Sequence, residues 1–194
     1  MKLILIRHGE TKGNEDGIYQ GRIDLSLSER GKDQCIEVKE KLKNIKVDKV
    51  YVSPLKRAKE SAEIIFDKEN REYIEELREI DFGLWEGLNY KKISESYSEE
   101  YSKFLNSYKD FIFPKGEGFN SFYLRVSKVI KIIYEKSKSE ETVAIVAHGG
   151  TIRAIICELL KMDIDGFYNI NVYHGCYSLL SVYDDMAIVE EINK

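Results

Sequence analysis

Cysteine is scarce in this chain. Its 194 residues hold three, Cys35, Cys157 and Cys176, an odd number without metal-ligand or redox spacing, which argues for buried reduced thiols and against a disulfide framework. Proline is scarcer still, with two residues, and no Gly/Ser linker, internal repeat or low-complexity tract divides the sequence. One domain spanning residues 1–194 is therefore expected, at a length that supplies one full core and is short for two. Neither sign of charge dominates. Thirty basic and 34 acidic residues are interspersed for a formal charge of −4, so no overall field gathers nucleic acid or an anionic membrane. Long apolar runs are missing as well: the apolar start breaks at Arg7, far short of a signal-peptide core, and no later run approaches a membrane span. A cytoplasmic protein is expected, and any phosphate it binds must be held by a local cluster of positive charge.

What is present is a repeated design. Residues 2–6 (KLILI) form a short apolar run that stops at Arg7-His8-Gly9, and residues 142–147 (TVAIVA) form a second that stops at His148-Gly149-Gly150 and passes into a helical pattern over 151–161. Both read as strands buried on two faces. Between them, 28–42 reads as a helix and 49–52 as a strand. Ser53-Pro54 then opens a further helix to about Phe66, with the serine as its cap and the proline in its first turn. Residues 119–137 form an amphipathic helix, and 178–183 with 187–191 predict two closing strands around Asp184-Asp185. Strands separated by helices imply a three-layer α/β/α sandwich, its central sheet mostly parallel and its helices on both faces. The stretch 88–113 reads as a helical insertion over the sheet and the active site. Its Tyr97, Tyr101, Phe104, Leu105 and Tyr108 recur at helical spacing, and this stripe is expected to pack down rather than form a dedicated ring-binding wall.

Ligands of open α/β sheets sit beyond the carboxyl ends of the strands, where helix N-termini point their free amides. Both strand-ending histidines fall there, two of only three in the chain. Neighbouring strands would bring His8 and His148 to one rim with Arg7 beside them, and Arg57, in the first turn of the helix after strand 49–52, would add a planar, permanently charged fork. Histidine, arginine and glycine-rich turns together suit a tetrahedral dianion. Asp81-Phe82-Gly83 spells a kinase metal-binding triplet, but there is no glycine-rich phosphate loop and no catalytic-loop motif to go with it. Histidines and carboxylates show no zinc or two-metal spacing, so metal-independent chemistry with no cofactor is expected.

These residues resemble the histidine phosphatase superfamily, also called phosphoglycerate mutase-like. The likeness is carried by Arg7-His8-Gly9-Glu10-Thr11 with Asn14, Gln20-Gly21, Leu27-Ser28-Glu29-Arg30-Gly31, Ser53-Pro54-Leu55-Lys56-Arg57-Ala58, Arg78-Glu79-Ile80, Phe82-Gly83, Trp85-Glu86-Gly87 and Ala147-His148-Gly149-Gly150. The resemblance implies that His8 attacks phosphorus, that Arg7, Arg57 and His148 bind the phosphoryl oxygens, and that Asn14, Gln20, Gly21 and Gly149 belong to the phosphate-binding surroundings. It makes Glu79 the proton donor; spacing alone does not choose among Glu79, Asp81 and Glu86. A neutral imidazole is nucleophilic near neutrality, and a covalent intermediate splits hydrolysis into two easier steps.

Two more blocks narrow the likeness. Residues 115–119 (KGEGF) with Arg125-Val126, and 172–178 (VYHGCYS), are similar to the α-ribazole phosphatases, which remove the 5′-phosphate from α-ribazole 5′-phosphate in assembly of the lower cobalamin loop. The implied partner is a small phosphorylated metabolite, with Phe82, Trp85 and the tyrosines of 88–113 as walls for an aromatic nucleoside. The competing readings are a broad-specificity sugar-phosphate phosphatase, a phosphoglycerate mutase and a non-catalytic binder of phosphorylated metabolites. His174 receives no role. Oligomeric state stays open, a homodimer being one alternative.

Overall fold

The computed structural model describes residues 1–66 and 71–194. In chain order they form β1 (Lys2–Arg7), α1 (Lys12–Glu15), α2 (Glu29–Leu42), β2 (Lys49–Val52), α3 (Lys56–Ile65) and β3 (Arg71–Tyr73). There follow α4 (Tyr90–Ser96), α5 (Ser98–Asn106), α6 (Phe119–Lys136), β4 (Thr142–Ala147), α7 (Gly149–Leu159), β5 (Tyr177–Val182) and β6 (Ala187–Glu191), with short 3-10 turns at Glu75–Leu77, Gly83–Trp85 and Ile164–Asn169.

One six-stranded sheet runs β3-β2-β4-β1-β5-β6. The first four strands are mutually parallel, whereas β5 is antiparallel to both β1 and β6. Alternation along β1 and β4 explains why both are apolar throughout. Leu3, Leu5, Val143 and Ile145 join a core with Phe122, Val126 and Ile130 of α6 and Ile152 and Ile155 of α7. Ile4, Ile6, Ala144 and Val146 face the other way, against Cys35, Val38 and Leu42 of α2 and Ala58, Ala62 and Ile65 of α3. Each central strand feeds two cores, which is the expected α/β/α sandwich. Among the described residues no helix is long and apolar enough to cross a membrane.

The sequence reading needs three adjustments. Strand β3 was not foreseen, because three residues at a sheet edge carry too little pattern to register. Helix α3 begins at Lys56 with Leu55 at its N-cap and no side-chain cap, so Ser53 is not the cap that the Ser-Pro signature predicts. Its buried hydroxyl is engaged elsewhere, 2.7 Å from His148 Nε2. Trp85 is wholly buried, with the rings of Phe104, Phe111 and Phe113 at 5.7, 5.3 and 5.2 Å. It anchors the segment containing α4 and α5 to the core and is no wall for a ligand.

Candidate active site

The register of β1 on β4 pairs Arg7 with Ala147, so the next residues, His8 and His148, leave the sheet side by side. Their ring centroids lie 5.2 Å apart. His8 Nδ1 is 2.7 Å from the Gly9 carbonyl. A carbonyl only accepts, so Nδ1 carries the proton and the lone pair sits on Nε2. Arg57 Nε points between the two imidazoles, 3.3 Å from His8 Nε2 and 3.2 Å from His148 Nδ1. A guanidinium only donates, which leaves the lone pair of His148 on Nδ1 and makes its Nε2–H the donor to Ser53 Oγ. Arg57 thus fixes the tautomer of His148, and the Ser53 hydroxyl, able to accept as well as donate, accommodates it.

Arg57 is almost completely buried. Its Nη1 donates to the Ile23 carbonyl at 2.8 Å, and its Nη2 to those of Gly21 at 2.9 Å and Gln20 at 3.3 Å. The amides of the same loop turn the opposite way. Gly21, Arg22 and Ile23 donate to the Glu86 carboxylate at 2.7–3.2 Å. One loop is therefore clamped between a guanidinium on its carbonyls and a carboxylate on its amides. Glu86 is consumed by this clamp, and Asp81 accepts from the Gly83 amide at 2.9 Å.

Of the three crowded acids, Glu79 alone lines the cavity that contains His8. Its oxygens accept from the amides of Ile80 at 3.0 Å and Gly150 at 2.8 Å, which places a carboxylate at the N-terminus of α7, where the helix dipole favours it. This approach explains the paired glycines. A Cβ on Gly150 would lie 2.5 Å from Glu79 Oε1, and one on Gly149 would lie 3.0 Å from Arg7 Cζ. Any larger residue would push the carboxylate or the guanidinium out of place.

The cavity has a volume of about 700 Å³ and runs outward from Arg7, His8, Asn14 and Gln20. Three buried polar atoms on its lining residues have no partner: Arg7 Nε, Gln20 Nε2 and His174 Nε2. Orphaned polar atoms are uncommon in native interiors, and three around one cavity mark a place for a polar ligand. Asn14 lines the cavity too, although its Oδ1 is already used by the Thr11 amide and hydroxyl at 3.0 and 2.9 Å. Gly21 is set apart from the cavity wall, its amide given to Glu86. A groove of about 810 Å³ between α6 and residues 72–76 holds none of these groups. Among the described residues no three His, Cys, Asp or Glu side chains are grouped to hold a metal ion.

His174 was passed over in the sequence. Its ring centroid lies 5.4 Å from that of His8, and its only forewarning was that it is the third histidine and precedes a glycine. Burial, followed by the charges of Arg57 and Arg7, holds His8 well below the usual imidazole range. Burial and then Arg57 do the same to His148, and burial and then Arg7 push His174 down to about 3. Each shift favours the neutral imidazole. Because their folded pKa values lie below the ordinary 6.5, the unfolded chain takes up protons that the folded one refuses. Their contribution to stability is complete above pH 6.5 and is lost as pH falls, by about 1.4 kcal/mol per pH unit for each imidazole. Urea midpoints taken downward from neutral pH should fall accordingly, less steeply in His174→Gln; a flat profile would show that the imidazoles are not held neutral.

The ends of the parallel strands bring two imidazoles, His8 and His148, together with Arg7, and Arg57 reaches both rings from α3. His8, Arg7 and Glu79 line the cavity, while His148 and Arg57 are buried behind it, a constellation suited to a phosphoryl dianion. The family profile described as "Histidine phosphatase superfamily (branch 1)" matches residues 3–194, and the chain belongs to that superfamily. It is accordingly a phosphatase, a hydrolase. It is 34% identical to phosphoserine phosphatase 1 of Hydrogenobacter thermophilus, covering 100% of this chain and 92% of the relative. It is 31% identical to the adenosylcobalamin/alpha-ribazole phosphatase of Escherichia coli K12, covering 100% and 96%. The crystal structure of the alpha-ribazole phosphatase of Shigella flexneri superposes with a TM-score of 0.93 at 31% identity, covering 100% of this chain and 96% of that one.

Proposed function

We propose that the protein hydrolyses the phosphomonoester of a metabolite carrying an aromatic ring, with α-ribazole 5′-phosphate as the leading substrate, through a phosphohistidine on His8. The observation that carries the substrate class is the outer cavity wall. It is built from Tyr19, Phe82, Phe104, Tyr108, Phe119 and Tyr168, rings that offer flat apolar faces to a base and little to a small polar ester.

In this reading the phosphoryl dianion seats among Arg7, Arg57, Gln20 and Asn14, and meets the orphaned donors there. The His8 Nε2 lone pair forms the N–P bond as the ester P–O bond breaks, and Glu79, having taken a proton from solvent as the phosphoryl dianion arrives, gives it to the departing alkoxide. Glu79 then takes a proton from water, whose oxygen attacks the phosphohistidine and releases inorganic phosphate and neutral His8. His148 begins with its lone pair on Nδ1 beside Arg57. The incoming negative charge favours its protonated form, so it becomes a donor to the phosphoryl oxygens when they arrive.

A second reading rests on Arg153, whose guanidinium also lines the cavity and lies over the rings of Phe167 and Tyr168, 5.7 Å from each centroid. It would bind the carboxylate of phosphoserine, the substrate named for one of the relatives. The test is kcat/KM for α-ribazole 5′-phosphate, phosphoserine, 3-phosphoglycerate and p-nitrophenyl phosphate. Burying about 100 Å² of ring at about 25 cal/mol per Å² gives the ribazole ester an advantage of roughly 50- to 100-fold over phosphoserine. A preference for phosphoserine would transfer the assignment to the Arg153 reading, and equal turnover of all esters would make the enzyme a broad-specificity phosphatase.

A further inference from the structure

His174 is placed with more care than a bystander requires. The segment bearing it is bonded to the strand end that presents His8. The Val172 carbonyl accepts from Arg7 Nη1 at 2.5 Å, the Gly175 amide donates to the His8 carbonyl at 3.1 Å, and the Cys176 carbonyl accepts from the Arg7 amide at 3.1 Å. On the outer side the Tyr173 amide donates to Asn193 Oδ1 at 2.9 Å. The backbone reverses at Gly175, whose φ of +57° suits glycine, and a Cβ there would lie 2.3 Å from that of Gln34. Position 174 is thus held in register with residues 7 and 8, and its side chain lines the same cavity.

A structural histidine in a protein interior is ordinarily retained by its hydrogen bonds. Here Nε2 is buried and unpartnered, in a cavity that also contains Arg7 of β1 and His8 just beyond it, with Arg57 close enough from α3 to act on the ring. Two guanidinium groups, those of Arg7 and Arg57, act on a ring whose Nε2 makes no bond of its own, an arrangement suited to binding an anion. A dianion on His8 would reverse the local charge, bring an acceptor toward Nε2 and favour a proton there.

We propose that His174 is a third imidazole of the phosphoryl site, donating from Nε2 to an oxygen of the bound dianion beside Arg7. This deepens the phosphohistidine reading above and rests on it. His174 forms no bond to phosphorus; the only bond it makes and breaks is to a proton. It gains a proton from solvent when the dianion binds and returns it when phosphate leaves.

The probe is sulfate, a tetrahedral dianion whose own charge does not change between about pH 5 and 8, so that any proton taken up belongs to the protein. Calorimetry of sulfate binding at about pH 6 in buffers of different ionisation enthalpy counts those protons. His174→Phe, which keeps a ring and loses the donor, should bind sulfate roughly 10- to 100-fold more weakly. His174→Gln, which keeps a neutral donor, should recover most of that affinity, and both variants should take up fewer protons than the wild type. Unchanged proton uptake in His174→Gln would overturn the inference, as would wild-type affinity in His174→Phe; if the Phe variant does not fold, the Gln variant decides alone. A burst of radiolabelled phosphate onto His8 in the wild type tests the parent reading separately. With the burst present and sulfate binding unmoved, the role of His174 falls and the phosphohistidine stands. With the burst absent, the phosphohistidine falls, and the sulfate result still decides whether His174 holds the dianion.

Discussion

His8→Ala is expected to lower kcat/KM by about 10⁴-fold or more on every ester tested, the order seen when a covalent catalyst loses its nucleophile. The size follows from what no neighbour can supply. His148 lies beside His8, but its Nδ1 is held by Arg57 and its Nε2 by Ser53, so it cannot swing its lone pair into line. Glu79 is held by two backbone amides and cannot replace an imidazole at phosphorus. The anion site itself should survive, because Arg57 loses one partner in His8 Nε2 but keeps His148 Nδ1 and three backbone carbonyls, and Arg7 stays bonded to the Val172 carbonyl. The variant should therefore bind sulfate within about an order of magnitude of the wild type while forming no acid-labile phosphoenzyme. A variant that still turned over at a hundredth of the wild-type rate would mean that His8 is an electrostatic group and that water attacks phosphorus directly.

Legibility in the sequence followed the range of the forces involved. Residues 2–6 and 142–147 announced two-sided burial because five or six consecutive positions of a strand shared one character, and their histidines were readable as strand ends. Arg57 was readable because a helix start after a strand has a fixed place in an α/β sheet. The resemblance to a known superfamily added Glu79, which spacing did not separate from Asp81 and Glu86. The fold separates them: Glu86 is spent on the loop at residues 21–23, Asp81 on a turn, and Glu79 remains against α7. What the sequence concealed was each contact made across the fold. The signature of Ser53 is local and correct for a helix cap, but its hydroxyl is claimed by a histidine 95 positions away. Trp85 looked like a substrate wall and is the hub of a buried aromatic cluster. His174 showed little in sequence beyond a following glycine, since its place beside His8 comes from a backbone pairing with the strand that begins the chain. The tyrosines of 88–113 divide: Tyr97 and Tyr101 pack onto the core, and Tyr108 lines the cavity.

Arg57 is expected to be the costliest cation to lose, and two substitutions separate its duties. Arg57→Met removes the charge and leaves the buried carbonyls of Gln20, Gly21 and Ile23 without their donor, at about 3 kcal/mol of stability. The loop they belong to also carries the amides that hold Glu86, so the clamp should loosen and thermal stability should fall. Arg57→Lys keeps a positive charge but not the fork. One ammonium cannot serve three carbonyls and still stand between two imidazoles, so kcat/KM should fall by about 10²- to 10³-fold. The pH profile tells the two losses apart. Arg57 is the leading charge that depresses both His8 and His148, after burial itself. Without it, in Arg57→Met, both imidazoles should protonate at higher pH, and the acid limb of kcat/KM should move toward neutrality, only in part because burial remains. Arg57→Lys retains the charge, so its acid limb should stay near that of the wild type while its rate drops. Coincident acid limbs in all three proteins would show that burial alone keeps the histidines neutral, and would reduce Arg57 to a structural clamp that happens to face the phosphate.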